Sequence, residues 1–236
     1  MKLRRLSLGL TLAALALPAL AGPFADSEAQ LRKVYGAYRA ALFLSNQGKG
    51  PETAEALAKF EMGWGKITSE WEAAAPPQYA DDPALPMTLA MVTGLIVKAQ
   101  GEVDAGHLPE AHETLEAVRD EIGGLHLRNG VIGFSDRMNA YHAAMEHVLA
   151  NDYAALGEAG KLRAAGDAAL LDHLVQEILA HPAPEAGDPA YGPLVEEFAA
   201  SVAAFKAAAE TGEIGAVTSA QKALKMPYAK LFAKFG

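Results

Sequence analysis

Large apolar residues recur three and four apart along most of this chain, as in LPEAHETLEAVRDEIGGLHLR at 108–128. Leu108, Ala111, Leu115, Val118, Ile122 and Leu125 fall there on one stripe of a helix with 3.6 residues per turn. No stretch sustains the two-residue alternation of a half-buried strand. Alanine is very common, Thr and Ile are sparse, and Gly and Pro fall mostly between the periodic segments. That is a helical composition. The spacing predicts eight helices, at about 27–46, 51–74, 83–105, 108–128, 135–150, 153–180, 189–211 and 214–235. Pro51 suits a first helical turn, and Asn129-Gly130 suits a helix end.

The eight segments read as four, twice. DDPALP at 81–86 aligns with GDPAYG at 187–192, Gly106-His107-Leu108 with Gly212-Glu213-Ile214, Leu125 with Leu231, and Gly130 with Gly236, all at one ungapped offset of 106. Upstream, at a slightly different offset, YRAAL at 38–42 matches YHAAM at 141–145. A period this long is not that of a solenoid; it suits two copies of a four-helix unit. The predicted fold is therefore all-α, with tandem four-helix-bundle repeats at 22–130 and 131–236. The stripe of the fourth segment has its counterpart in Ile214, Val217, Leu224, Tyr228 and Leu231, the seam of a bundle helix packed at a shallow angle. Each large side chain buried along it contributes about 1.5–3 kcal/mol.

The chain opens MKLRRLSLGLTLAALALPALAGP. Lys2, Arg4 and Arg5 precede an apolar run, and Ala19-Leu20-Ala21 supplies the small-x-small pattern of a cleavage site. This predicts a secretory signal peptide at 1–21, cut near Ala21, and a periplasmic or secreted protein. No later apolar run approaches the roughly 20 residues of a membrane helix. Cysteine is absent, which excludes disulfides, lipid attachment at a cysteine and thiolate metal sites. Without the leader, 17 basic residues face 29 acidic ones, a formal charge of −12. Nucleic acid and anionic lipid are excluded as expected partners, and a basic envelope protein partner is compatible.

In the last turns of the fourth segment the sequence reads Ile122-Gly-Gly-Leu125-His126. An exported four-helix unit with a histidine near the end of its fourth helix resembles the c-prime type cytochromes, where CxxCH at that place attaches haem. Here both cysteine positions are apolar, and the second repeat reads Tyr228-Ala-Lys-Leu231-Phe232. The resemblance implies a four-helix layout and, with both thioether anchors missing, no covalent haem. His126 is then a relic ligand, or it joins Arg128 as a basic residue favoured by the helix dipole.

The densest polar chemistry lies between 107 and 147. His112 and Glu116 stand four apart on one helical face, as do His142 and Glu146, with Met138 and Met145 flanking the latter pair. Imidazole and carboxylate from two bundle helices suit zinc, iron or copper, and thioether sulfur tilts a site toward Cu(I). A hairpin of segments four and five about Val131 would bring Glu116 and Arg119 opposite His142 and Glu146; an end-to-end arrangement would separate them. The other reading of these residues is surface ion pairs worth at most about 1 kcal/mol, with Met138 and Met145 as core filler. Phe60, Met62, Trp64 and Trp71 read as core or as an aromatic-lined pocket, and His173 and His181 as solvent-facing. Asp82-Pro83 and Asp188-Pro189 read as helix starts. No GxSxG, phosphate loop, dinucleotide fingerprint or HExxH occurs.

The expectation is a non-enzymatic periplasmic binding protein. It would hold a metal ion or small ligand near the junction of its repeats, through His112, Glu116, His142 and Glu146 with Met138 or Met145 as soft donors. The alternative is a cofactor-free helical interaction module, descended from a haem-binding bundle, that binds a protein partner through its acidic surface.

Overall fold

The computed structural model describes residues 22–236, so the predicted signal peptide lies outside the described residues. Among the described residues every regular element is helical. The helices are α1 Pro23–Asn46, α2 Gly50–Ala73, α3 Leu85–Asp104, α4 Leu108–Arg128, α5 Phe134–Leu149, α6 Glu158–Ala180, α7 Tyr191–Thr211, α8 Ile214–Ala223 and α9 Lys225–Phe235. None is long and apolar enough to cross a membrane.

Two predicted segments come out differently, each for a backbone reason. The last one is broken at Leu224, because Pro227 has no N–H to offer the Ala223 carbonyl and its ring crowds that group. The sixth begins five residues late. Gly157 takes φ +57° and turns the chain, which sends Tyr153 into the core, where its hydroxyl donates to Asp167 Oδ2 at 2.9 Å. The two Asp-Pro pairs behave alike: Asp82 Oδ1 accepts from Ala84 N at 2.9 Å, and Asp188 Oδ1 from Ala190 N at 2.8 Å, one turn before α3 and α7.

The inward faces recur at the offsets seen in the sequence. Buried Ala111, Val118, Ile122 and Leu125 of α4 precede buried Val217, Leu224, Tyr228 and Leu231 by 106 residues. Val92, Ile96, Ala99 and Val103 of α3 precede Phe198, Val202, Phe205 and Ala209 of α7 by the same interval. Along α1 and α5 the interval is 103, pairing Leu31, Tyr38 and Leu42 with Phe134, Tyr141 and Met145.

Neighbouring helices in sequence are neighbours in space. α1 through α4 pack in order, and α4 returns to α1; α5, α6 and α7 pack in order, and α8 and α9 return to α7 and α5. The two groups meet where α1 lies on α9 and α4 on α5. That junction positions two polar centres. Phe60, Trp64 and Trp71 are core residues, with Trp64 Nε1 donating to the Leu89 carbonyl at 3.3 Å and to Thr93 Oγ1 at 3.2 Å; Met62 points outward. His173 and His181 are exposed.

Candidate functional site

A cleft of about 490 Å³ opens at the junction, between the end of α1, the first half of α4, the end of α5, and α9. From α4 it takes His112, Glu113, Glu116 and Arg119; from α5, His142 and Glu146. α9 gives Lys225, Tyr228, Ala229 and Phe232, and α1 gives Leu42, Phe43 and Asn46. The hairpin of α4 and α5 thus brings His112, Glu116, His142 and Glu146 to one cavity. Met138 and Met145 are fully buried in the core and do not line it. Among the described residues, no three His, Asp or Glu side chains are grouped where they could hold a metal ion.

Both imidazoles are oriented. His112 Nδ1 lies 3.0 Å from the Leu42 carbonyl and 3.1 Å from Ser45 Oγ. Donation to the carbonyl fixes the proton on Nδ1 and leaves Nε2 toward Glu116, 3.7 Å away. His142 stacks on Tyr228, rings 5.2 Å apart, and Tyr228 stacks on Phe232 at 5.6 Å. Its Nε2 is 3.6 Å from Glu146 Oε1, which also meets Lys225 Nζ at 3.5 Å. Burial, then the charges of Arg119, Lys225 and His112, push the His142 pKa down to about 3, so the ring is neutral at ordinary pH. The carboxylates carry fixed counter-charges already: Glu116 Oε1 lies 3.4 Å from Arg119 Nη2.

Sequence reasoning missed Lys225, Tyr228 and Phe232 as cleft residues. The 106-residue offset held the signal, since Lys225 lies 106 residues after Arg119 and Tyr228 106 after Ile122. What it lacked was the crossing of α9 over α1, which depends on how the halves dock.

His126 is neither an exposed cap nor a free ligand. Its ring turns inward, 8 % exposed, with Nδ1 2.9 Å from both oxygens of Asp136 and Nε2 3.7 Å from Glu28 Oε2. It lies parallel to Tyr79, whose hydroxyl donates to Glu28 Oε1 at 2.8 Å. Burial opposes its protonation, but the hydrogen bond and charge of Asp136 and the charge of Glu28 outweigh it and hold the pKa above the ordinary histidine value. Beside it is a chamber of about 20 Å³. Arg32 Nε, Tyr35 Oη, His126 Nε2 and Asn139 Oδ1, all from residues that line the chamber, are buried without hydrogen-bond partners. A space of this size takes about one water molecule. Ile122 and Leu125 are core residues.

No protein-family model matches the chain, and no curated protein or solved structure matches it either.

Proposed function

We propose that this is an exported, non-enzymatic binding protein, built from two copies of one four-helix unit, that holds a small organic ligand in the cleft where the copies meet. Export rests on the basic, apolar and small-residue pattern of 1–21; duplication rests on the recurring sequence and inward faces. The observation that carries the binding reading is the cleft itself. Four helices, two from each half, contribute charged, imidazole and aromatic side chains to one open cavity. Its volume lies in the range of small-molecule sites. Ser45 Oγ, the one hydroxyl among the described residues that meets either imidazole, donates to the Leu42 carbonyl and does not line the cleft, so binding is favoured over catalysis.

The test is a screen of small organic acids, amines and zwitterions by thermal shift, repeated on Ala229→Phe, which narrows the cleft. Ligands should raise the Tm of the native protein and lose that effect in the variant. Equal shifts in both proteins, or none in the native one, would overturn the reading.

One observation favours a metal ion as the second reading. The Leu42 carbonyl holds His112 through Nδ1, as outer partners hold metal-binding imidazoles, and leaves Nε2 to the cleft. Copper, zinc or iron would then be held by His112, Glu116, His142 and Glu146 after Lys225 and Arg119 release the carboxylates. Metal titration of the native protein and of a His112→Ala, His142→Ala double variant tests this; unchanged stoichiometry would remove it.

A further inference from the structure

The floor of the cleft holds donors that the protein does not use. Arg119 is 9 % exposed. Its contact with Glu116, at 3.4 Å, is an ion pair longer than a hydrogen bond. Among the described residues its guanidinium makes no hydrogen bond, although it carries five N–H donors. Tyr228 lines the same cleft, and its hydroxyl is buried without a partner. Burial raises the Tyr228 pKa well above its ordinary value, so the phenol keeps its proton and can donate. Leaving the buried Tyr228 donor unmade is costly, and the planar Arg119 guanidinium fork matches the two oxygens of a carboxylate.

The remaining walls define the rest of a ligand. Leu42, Phe43 and Phe232 are apolar, and Phe232 continues the stack from Tyr228. Lys225, about half exposed, stands near the opening. Glu113, Glu116 and Glu146 also line the cavity, and three carboxylates disfavour a dianion such as phosphate. Glu116, a third exposed, lies within 3.7 Å of His112 Nε2 and can stay on that side when an oxyanion takes the Arg119 fork.

Resting on the cleft as the binding site, we propose that its ligand is a small organic monocarboxylate with an apolar or aromatic body. Its carboxylate meets the Arg119 guanidinium and the Tyr228 hydroxyl, and its body lies against Phe43 and Phe232.

Calorimetric titration of the purified protein with 3-phenylpropanoate, 3-phenylpropanol and inorganic phosphate tests the assignment. The acid should bind about tenfold or more tightly than the alcohol, and phosphate should not displace it. Tyr228→Phe, which keeps the stack, and Arg119→Lys, which keeps the charge but loses the fork, should each weaken the acid at least fivefold and the alcohol by no more than about twofold. Circular dichroism and thermal melts confirm that both variants fold. If acid and alcohol bind alike, or both variants bind the acid as the native protein does, the carboxylate assignment falls and the cleft survives as a site. Displacement of the acid by phosphate at equal concentration also overturns the assignment. Binding of neither organic compound overturns the assignment, and the thermal-shift screen then decides the cleft separately.

Discussion

Replacing His126 with phenylalanine isolates the buried staple between the halves. The new ring keeps the stack on Tyr79, which lies 9° from parallel to the imidazole, and removes both polar contacts. Removing one partner of a buried ion pair costs about 3–5 kcal/mol when the other is stranded. Neither carboxylate is left bare here. Asp136 still accepts from Gly133 N at 2.7 Å, and Glu28 still accepts from Tyr79 Oη at 2.8 Å and Gln78 Nε2 at 2.7 Å. The expected loss is therefore about 2–3 kcal/mol at pH 6, below the usual range for a stranded charge. At this chain length that lowers Tm by roughly 5–10 °C. The pH dependence has a definite sign. A base whose pKa rises on folding stabilises the native state fully below its unfolded value, about 6.5. It loses that contribution as pH climbs through the folded value. The groups facing His126 are Asp136, Glu28, Tyr79 and, across the chamber, Arg32. Urea unfolding of native and variant protein from pH 5.5 to 9 measures the difference. The gap should be widest at the acid end and shrink above pH 6.5. Parallel curves, or a gap below about 1 kcal/mol throughout, would refute an imidazolium bound between two carboxylates.

Three further outcomes are expected. A Cβ at Gly160 would run into the Tyr153 carbonyl, so Gly160→Ala should cost about 1–3 kcal/mol in urea melts. By contrast, Gly94→Ala and Gly166→Ala, mid-helix with nothing within 4 Å, should each gain about 0.5–1 kcal/mol; the same sign at all three positions would contradict the packing of the 152–157 turn on α6. Asp167 Oδ2 accepts from Tyr153 Oη, Asn151 Nδ2 and Arg163 Nε at 2.9, 2.9 and 3.2 Å. Asp167→Ala should therefore lose about 2–3 kcal/mol and speed amide exchange across 152–157, and unchanged exchange would show that this carboxylate does not hold the turn. A high-resolution crystal structure should place one water in the chamber beside His126, and Tyr35→Phe should weaken or remove it; a dry chamber in the native protein would mean that its four polar atoms are satisfied by rearrangement instead.

The site was partly legible in advance. The HxxxE spacing put His112 with Glu116 and His142 with Glu146 on single helical faces, and a short loop after α4 made a hairpin the natural way to face them. Met138 and Met145 share the α5 segment but point the other way, into the core, because they lie on its buried stripe with Tyr141. That follows from the same periodicity, read around the helix rather than along it. His126 was harder. Its place in the last turn of α4 suggested an exposed cation at a dipole end. Only the arrival of Glu28 from 98 residues upstream and Asp136 from the next helix makes burial of that ring favourable. Gln221 makes the same point. It interrupts the apolar seam of 214–231, yet it is buried, donating to the carbonyls of Val148 and Asn151 at 2.7 and 2.9 Å and tying α8 to the end of α5.

Local chemistry wrote the helices into the sequence. Three-and-four spacing, Asp-Pro starts, Gly106 and Gly212 with positive φ at corresponding ends, and the missing N–H of Pro227 each act within a few residues of where they stand. Such effects need no partner from elsewhere in the chain. The cleft and the histidine staple do need one. Each assembles residues from both halves, separated by as much as 190 positions between Leu42 and Phe232. Whether the two groups of helices dock by α1 on α9 and α4 on α5 depends on the fit of whole faces. No single stretch encodes that fit, so the donors on the cleft floor became visible only once the chain was folded.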